Sequence, residues 1–135
     1  STASVSAPQL FEAAASSPLA SYRISTSSPQ ALANTVWAYA KAGVEVPALF
    51  ELVAVVMLPR KINQFRPCDL ANTVWAFAKS GIWATALFEA VSNEALRPIK
   101  KFSKGRRISL FKPQDVANTV WGYATAGVEA PKLFE

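Results

Sequence analysis

One group of polar and aromatic residues occurs three times in this chain of 135 residues. Its members are four, three and four positions apart, which puts them on one side of an α-helix. An amide donates and accepts hydrogen bonds, an indole ring stacks on planar groups, and an ammonium attracts anions. These residue types suit binding rather than bond-making chemistry. The group comprises Gln30, Asn34, Trp37 and Lys41, then Cys68, Asn72, Trp75 and Lys79, then Gln114, Asn118, Trp121 and Thr125.

The residue types that carry most enzyme chemistry are scarce. The sequence has no histidine and one cysteine, Cys68, and its nine acidic residues are dispersed along the chain. This pattern provides neither a catalytic triad, nor a close pair of carboxylates, nor a set of metal ligands. A glycine-rich phosphate loop is also missing from the sequence. We therefore expect no enzyme activity, no metal, no cofactor and no small-molecule substrate.

Positive charge is concentrated in one segment. The net charge is +5, and the stretch from Arg97 to Lys112 holds seven of the 14 basic residues and no acid. The remainder of the chain has seven basic and nine acidic residues, so any attraction of anions must be local to this segment. We call its central part the basic loop, which comprises Lys100, Lys101, Lys104, Arg106 and Arg107.

The three groups belong to a longer repeated phrase. Ala-Asn-Thr-Val-Trp begins at residues 33, 71 and 117, so that successive copies are 38 and 46 residues apart. Leu-Phe-Glu follows each copy, and another Leu-Phe-Glu precedes the first. A period of about 20–50 residues is typical of solenoids and other repeat architectures. The longer spacing predicts an insertion of eight residues, within about 103–110.

Prolines and glycines predict two helices in each unit. Proline suits the first turn of a helix, and glycine suits the left-handed residue that ends one. Ser28 can cap the first copy, whereas Arg66 and Lys112 lack the side-chain oxygen for this role. The predicted first helices run from Pro29 to Gly43, from Pro67 to Gly81 and from Pro113 to Gly127, and the second helices begin near Pro47, Thr85 and Pro131.

These boundaries predict an all-α fold, a short right-handed α-solenoid of antiparallel helix pairs with five to six helices. The chain 1–135 is then one helical-repeat domain. It contains a half repeat at 7–27, a repeat at 28–65, a repeat at 66–111 with the insertion, and a partial repeat at 112–135. The longest apolar run, Leu52 to Leu58, is shorter than the roughly 20 residues that span a bilayer. We therefore expect no transmembrane helix.

The two sides of each first helix have different compositions. Leu32, Val36 and Tyr39 form an apolar side, which we expect in the core. The opposite side would align the repeated groups in columns of amides, indoles and mostly cations. These columns can pack between repeats, or they can face a groove in which the indoles stack on bases. Selectivity would then come from the positions that vary, which are Gln30, Cys68 and Gln114; Ala31, Asp69 and Asp115; and Lys41, Lys79 and Thr125.

The second helix of the first repeat is apolar almost all round. It reads LFELVAVVML, and Val55 and Val56 stand where the next repeat has Asn93 and Glu94. A helix of this composition needs a cover on every side. The N-terminal segment can provide it, or Leu52, Val55 and Val56 can form an interface with a protein partner.

The repeated phrase resembles a known family. PQALANTVWAYAKAG, PCDLANTVWAFAKSG and PQDVANTVWGYATAG are similar to octotricopeptide repeats, and to the related helical repeats found beside RAP domains. The resemblance covers about Pro8 to Glu135. It implies paired antiparallel helices in a superhelix that binds RNA in chloroplasts or mitochondria, where such proteins control RNA processing, stability or translation.

Two functions remain open at this stage. The first is binding of organellar RNA through the columns and the basic loop, whose cations would pair with phosphates. The second is that of a scaffold subunit in a large organellar assembly, such as an organelle ribosome or a photosynthetic or respiratory complex. The short array and the apolar second helix favour this alternative. The resemblance favours the plastid over the mitochondrion for either function.

Overall fold

The computed structural model describes residues 7–17, 19–58, 62–99 and 105–129. Within these ranges the chain is all-helical, and its β structure is limited to an isolated antiparallel bridge between Pro98 and Arg106. The described residues form seven α-helices, whereas the sequence predicts five to six. They are α1 (Ala7–Ser16), α2 (Ala20–Thr26), α3 (Pro29–Ala42), α4 (Pro47–Met57), α5 (Pro67–Lys79), α6 (Thr85–Leu96) and α7 (Pro113–Glu129), with short 3-10 helices at Ile62–Gln64 and Arg107–Leu110.

One cause of the larger number of helices lies in the N-terminal half repeat. Its segment 7–27 forms two helices, α1 and α2, which are separated around Ser17. The amide of Ala20 donates to the carbonyl of Ser17 at 2.9 Å, so the chain turns there before helix formation resumes. None of the helices in the described ranges has the length and apolarity that a membrane crossing requires.

The three first helices begin at a proline but use different N-terminal caps. In α3 the hydroxyl of Ser28 accepts a hydrogen bond from the amide of Ala31 at 3.2 Å. In α5 and α7 the acceptor is an aspartate in the first turn, which reaches back to the residue before the helix. Asp69 Oδ2 accepts from the amide of Arg66 at 3.1 Å, and Asp115 Oδ2 accepts from that of Lys112 at 3.2 Å.

This difference in N-terminal caps explains why Ala31, Asp69 and Asp115 differ between the copies. Asp69 and Asp115 are buried, so they do not face a groove. Ala31 can replace them in the first copy because Ser28 supplies the oxygen there. The variation at these three positions therefore satisfies helix ends, and the expectation that it provides selectivity is wrong for the buried Asp69 and Asp115.

Glycines end two of the three first helices as the sequence predicts. Gly43 and Gly81 have φ angles of 72° and 69°, the left-handed conformation that glycine adopts without strain. Beyond Gly43 the amide of Val44 bonds the carbonyl of Tyr39 at 3.1 Å. The prediction is wrong for Gly127, where α7 continues to Glu129. The second helix predicted near Pro131 lies outside the described residues.

The first helices form the centre of the structure. α5 lies between α3 and α7 and packs along both of them, while α4 contacts α2 and α3, and α6 contacts α5 and the two 3-10 helices. Leu32, Val36 and Val74 are fully buried, and Tyr39 is nearly so, which agrees with the predicted core side. Each such aliphatic side chain contributes about 1.5–3 kcal/mol through burial.

The invariant threonine has a structural explanation. Thr35, Thr73 and Thr119 donate their hydroxyl hydrogens to the carbonyl four residues earlier in the same helix, each at 2.7 Å. This internal bond satisfies the polar atom, and the methyl group can then enter the helix interface. Thr73 is completely buried in this way.

Gly122 departs from the repeat and brings α7 close to α5. The equivalent residues in the other copies are Ala38 and Ala76. A methyl group at position 122 would lie 2.4 Å from Val74 Cγ1 and 3.2 Å from the Val74 carbonyl oxygen. Carbon atoms in contact are normally about 3.5–4.0 Å apart. The absence of a side chain therefore permits a closer approach than an alanine would.

Gly122→Ala tests this close approach. Alanine in a helix interior usually stabilises by about 0.5–1 kcal/mol relative to glycine, but overpacking costs about 1–3 kcal/mol. We expect the free energy of unfolding, measured in urea, to fall. Gly127→Ala is the matched control, because nothing lies within 4 Å of a methyl group there. We expect that variant to be as stable as the wild type or more so, and an equal gain in both variants would contradict the close packing.

Candidate functional site

Side chains from α3, α5 and α7 line one surface groove. It has a volume of about 430 Å³, and we call it the tryptophan groove. Three helices contribute to it because the polar sides of the packed first helices open onto the same surface. Its lining residues are Trp37 and Lys41 of α3, Asn72 and Trp75 of α5, and Gln114 and Asn118 of α7.

The indole column lies on the surface and is also in contact with itself. Trp37 and Trp121 are 39% and 42% exposed, and Trp75 between them is half-buried. The rings of Trp75 and Trp121 are tilted by 37° with centroids 5.9 Å apart. The two interpretations of the column are therefore not exclusive, since Trp75 packs between repeats while it lines the groove.

The amides form a directional chain across two helices. Gln114 Nε2 donates to Asn118 Oδ1 at 3.0 Å, and Asn118 Nδ2 donates to Asn72 Oδ1 at 3.4 Å. The Nδ2 group of Asn72 has no hydrogen-bond partner among the described residues, so it is a donor that a ligand in the groove could use.

Lys41 contributes a cation to the lining of the groove. Lys41 Nζ lies 5.7 Å from the centroid of the Trp37 ring, a cation–π arrangement worth about 0.5–1 kcal/mol at an exposed site. The ammonium therefore lies over the Trp37 ring, where it could pair with an anionic group bound in the groove.

The structure places several members of the predicted columns outside this groove. Gln30 and Lys79 are exposed but do not line it. Asn34 lines a separate cavity, between α3 and the N-terminal helices α1 and α2. Cys68 is half-buried, and burial, aided by the neighbouring carboxylate of Asp69, raises the pKa of its thiol. The thiol is therefore less prone to ionise than a solvated one.

Arg107 of the basic loop has a structural partner. Its guanidinium contacts Glu94 Oε2 at 2.5 Å and also donates to the carbonyl of Phe65. Glu94 is buried, and it forms a second ion pair with Arg97 at 2.9 Å. These contacts join the 3-10 helix of the insertion to α6, so Arg107 is engaged within the fold.

The rest of the insertion is partly described. Its two ends are joined by backbone bonds, from the amide of Ile99 to the carbonyl of Gly105 at 3.1 Å and from that of Arg107 to Arg97 at 2.8 Å. Arg106 is exposed. The remaining members of the basic loop lie outside the described residues, and they are Lys100, Lys101 and Lys104.

The apolar helix α4 is covered mostly by the chain itself. Val56 is buried with 8% exposure, whereas Val55 is 65% exposed and Leu52 is half-buried. This corrects the assignment of Val56 to a partner surface, because its side chain belongs to the core. The N-terminal segment provides part of the cover, since α2 packs against α4.

A second apolar surface was not recognised in the sequence. A depression of about 570 Å³ lies beside α7 and is lined by Leu96, Ile108, Val120 and Tyr123, among others. Val120 is 57% exposed, although its counterparts Val36 and Val74 are fully buried. The sequence could have indicated this surface, because the repeat puts Val120 in a core position. The described residues provide no cover for that position.

Comparison of the chain with protein-family models, with curated proteins and with solved structures gives no match. The functional argument therefore depends on the groove itself and on the repeated phrase.

Arg107→Gln tests whether this arginine is a structural residue. Removing one partner of a buried charge costs about 1–3 kcal/mol, since the carboxylate of Glu94 loses a bond and the Phe65 carbonyl loses its donor. We expect urea denaturation to show a loss of this size. Arg106→Gln, the adjacent exposed arginine, is the control and should stay within about 0.5 kcal/mol of the wild type. Similar stability for the two variants would show that Arg107 is not required for the fold.

Proposed function

We propose that this protein is a non-enzymatic helical-repeat protein that binds single-stranded RNA in the tryptophan groove. We further propose that its repeats belong with the octotricopeptide repeats, that they form a right-handed solenoid, and that it acts in an organelle, with the plastid favoured over the mitochondrion. The packing of α5 against both α3 and α7 supports the repeat assignment, because it makes the first helices of successive units neighbours.

The observation that carries the RNA proposal is the lining of the groove. Exposed indole faces, an amide donor and an ammonium meet on one surface there. Single-stranded nucleic acids are bound by this combination, because every base has a face that stacks on an aromatic ring and every nucleotide has a phosphate that attracts a cation.

Electrostatics supports the same proposal. The net charge of +5 is due to the segment between Arg97 and Lys112. Arg97 and Arg107 of this segment pair with Glu94, so the proposed phosphate contacts are Lys41 at the groove, the exposed Arg106, and the predicted contacts Lys100, Lys101 and Lys104. Because such contacts release counterions, the affinity for RNA should fall steeply as salt is added.

A second candidate function has one observation in its favour. The apolar depression beside α7, with Val120 at its edge, exposes side chains that the repeat pattern places in a core. Exposed apolar surfaces of this kind are typical of contacts between proteins. A scaffold subunit of a large organellar complex is therefore the alternative, and Val55 of α4 is a further exposed apolar side chain.

Binding of a fluorescein-labelled single-stranded octauridylate, followed by fluorescence anisotropy, tests the RNA proposal. We expect Lys41→Gln to weaken binding and to reduce the slope of log K against log salt by about 0.7, the value for one phosphate contact on a single strand. Arg23→Gln removes one positive charge from α2, outside the groove, and should leave the slope unchanged. Equal slopes for Lys41→Gln and Arg23→Gln would remove Lys41 from the site.

Isolation from a native organelle extract, with and without RNase, separates the two candidate functions. RNA binding predicts RNA cross-links at Trp37, Trp75 or Trp121 and loss of any large assembly after RNase. A stoichiometric protein complex that survives RNase, with no cross-linked RNA, would establish the scaffold function instead.

A further inference from the structure

The first helices form two neighbouring pairs, α3 with α5 and α5 with α7, and we call each pair a step. The two steps differ, although the repeated phrase is the same. At the α5–α7 step, Trp75 contacts Trp121, and Asn118 donates to Asn72. At the α3–α5 step, neither an indole contact nor an amide bond joins the equivalent residues within the described part of the chain. The groove lies where Trp37 and Trp75 face the same space. One step is therefore closed by its own side chains, and the other is open.

The closed step leaves no room for a base. A planar ring held between two others needs two stacking contacts of about 3.5–4 Å each, and hence about 7–8 Å between the flanking rings. The centroids of Trp75 and Trp121 are 5.9 Å apart. The side-chain amides of Asn118 and Asn72 are likewise bonded to each other, so the donor and the acceptor of that bond are not available to a ligand.

The open step has the size and the chemistry for one nucleotide. The groove that opens there also reaches Gln114 and Asn118 of α7. Its volume of about 430 Å³ lies within the range of about 300–1,000 Å³ that ligand pockets occupy. Trp37 and Trp75 supply indole rings and Asn72 supplies a donor. Lys41 lies over the Trp37 ring, where a phosphate of the bound nucleotide could reach it.

Gly122 provides the physical reason for the asymmetry. Its missing side chain lets α7 approach Val74 of α5 to a distance that a methyl group would prevent. The equivalent residue of α5 is Ala76, which is fully buried and keeps its methyl group in the packing. The α5–α7 step can therefore close until Trp75 and Trp121 touch, and the step with an alanine cannot close in the same way.

We propose that the tryptophan groove holds a single base, in the space lined by Trp37 and Trp75, and that Gly122 closes the adjacent position between Trp75 and Trp121. This inference rests on the proposed function, since it takes the ligand to be single-stranded RNA. The three tryptophans are then unequal: two belong to the base site, and Trp121 supports Trp75 from behind. The donor of Asn72 anchors the base without selecting it, because every base has an acceptor on its edge.

Two matched variants of the full chain test whether Trp37 and Trp121 contribute unequally to RNA binding. Trp37→Leu and Trp121→Leu remove the same side chain from the same helix position at nearly equal exposure, 39% and 42%. With fluorescein-labelled octauridylate as the probe, we expect Trp37→Leu to weaken binding by about 5- to 150-fold, the loss of one stacked base. We expect Trp121→Leu to stay within about twofold of the wild type, because no base fits between that ring and Trp75 and Trp121 does not line the groove.

Gly122→Ala tests, without RNA, whether Gly122 causes the contact between Trp75 and Trp121. Two indoles in contact couple optically and give paired circular-dichroism bands of opposite sign in the far ultraviolet, and this couplet should disappear when α7 is pushed away from α5. The same variant should open a space for a base between Trp75 and Trp121, so that Trp121→Leu weakens binding in the Gly122→Ala background. A couplet that persists in folded Gly122→Ala would overturn the role of Gly122.

The outcomes distinguish this inference from the proposed function. If Trp37→Leu and Trp121→Leu weaken binding equally, both tryptophans contact RNA and the single-site inference fails, while RNA binding stands. If the wild-type chain does not bind octauridylate or octaadenylate at low salt, the proposed function fails. The comparison of the two tryptophan variants does not need Gly122→Ala, so an unfolded Gly122→Ala protein would leave that test intact.

Discussion

The packing of α5 between α3 and α7 is the constraint on which the other features depend. Small residues at the contact allow the backbones to approach closely, and Ala33 and Ala71 are completely buried there. The polar atom that enters the contact, the hydroxyl of Thr73, is satisfied within its own helix. Because the apolar sides are committed to this packing, Trp37, Asn72 and Trp75 are left at the opposite side, where they line the groove.

Close packing also limits how uniform the repeats can be. Proteins are packed so densely that one methyl group changes the distance between two helices. Gly122, which stands where the other copies have alanine, therefore alters the distance between side chains that are the same in every copy, such as Trp75 and Trp121. In a repeat protein, the invariant residues can thus acquire different environments through a substitution at a neighbouring position.

The insertion shows how a charged segment divides between folding and binding. Glu94 replaces an apolar residue of the preceding repeat, Val56, at a buried position of α6. A buried carboxylate has to be paired, and Arg97 and Arg107 provide the pairing. The same contacts hold the 3-10 helix of the insertion against α6, and they leave Arg106 at the surface. Net charge along the chain is therefore a poor measure of the charge that a ligand would meet.

The sequence by itself determined the helical character, the period and the core side, because proline, glycine and apolar spacing act over a few residues. It also predicted that Trp37, Trp75 and Asn72 share a side of their helices. Only the tertiary structure decided that Asp69 is a cap, that Val56 is buried and that Trp75 touches Trp121 while Trp37 stands apart. These features depend on distances between helices, and such distances are set by packing across the repeats, for which a single repeated phrase contains no information.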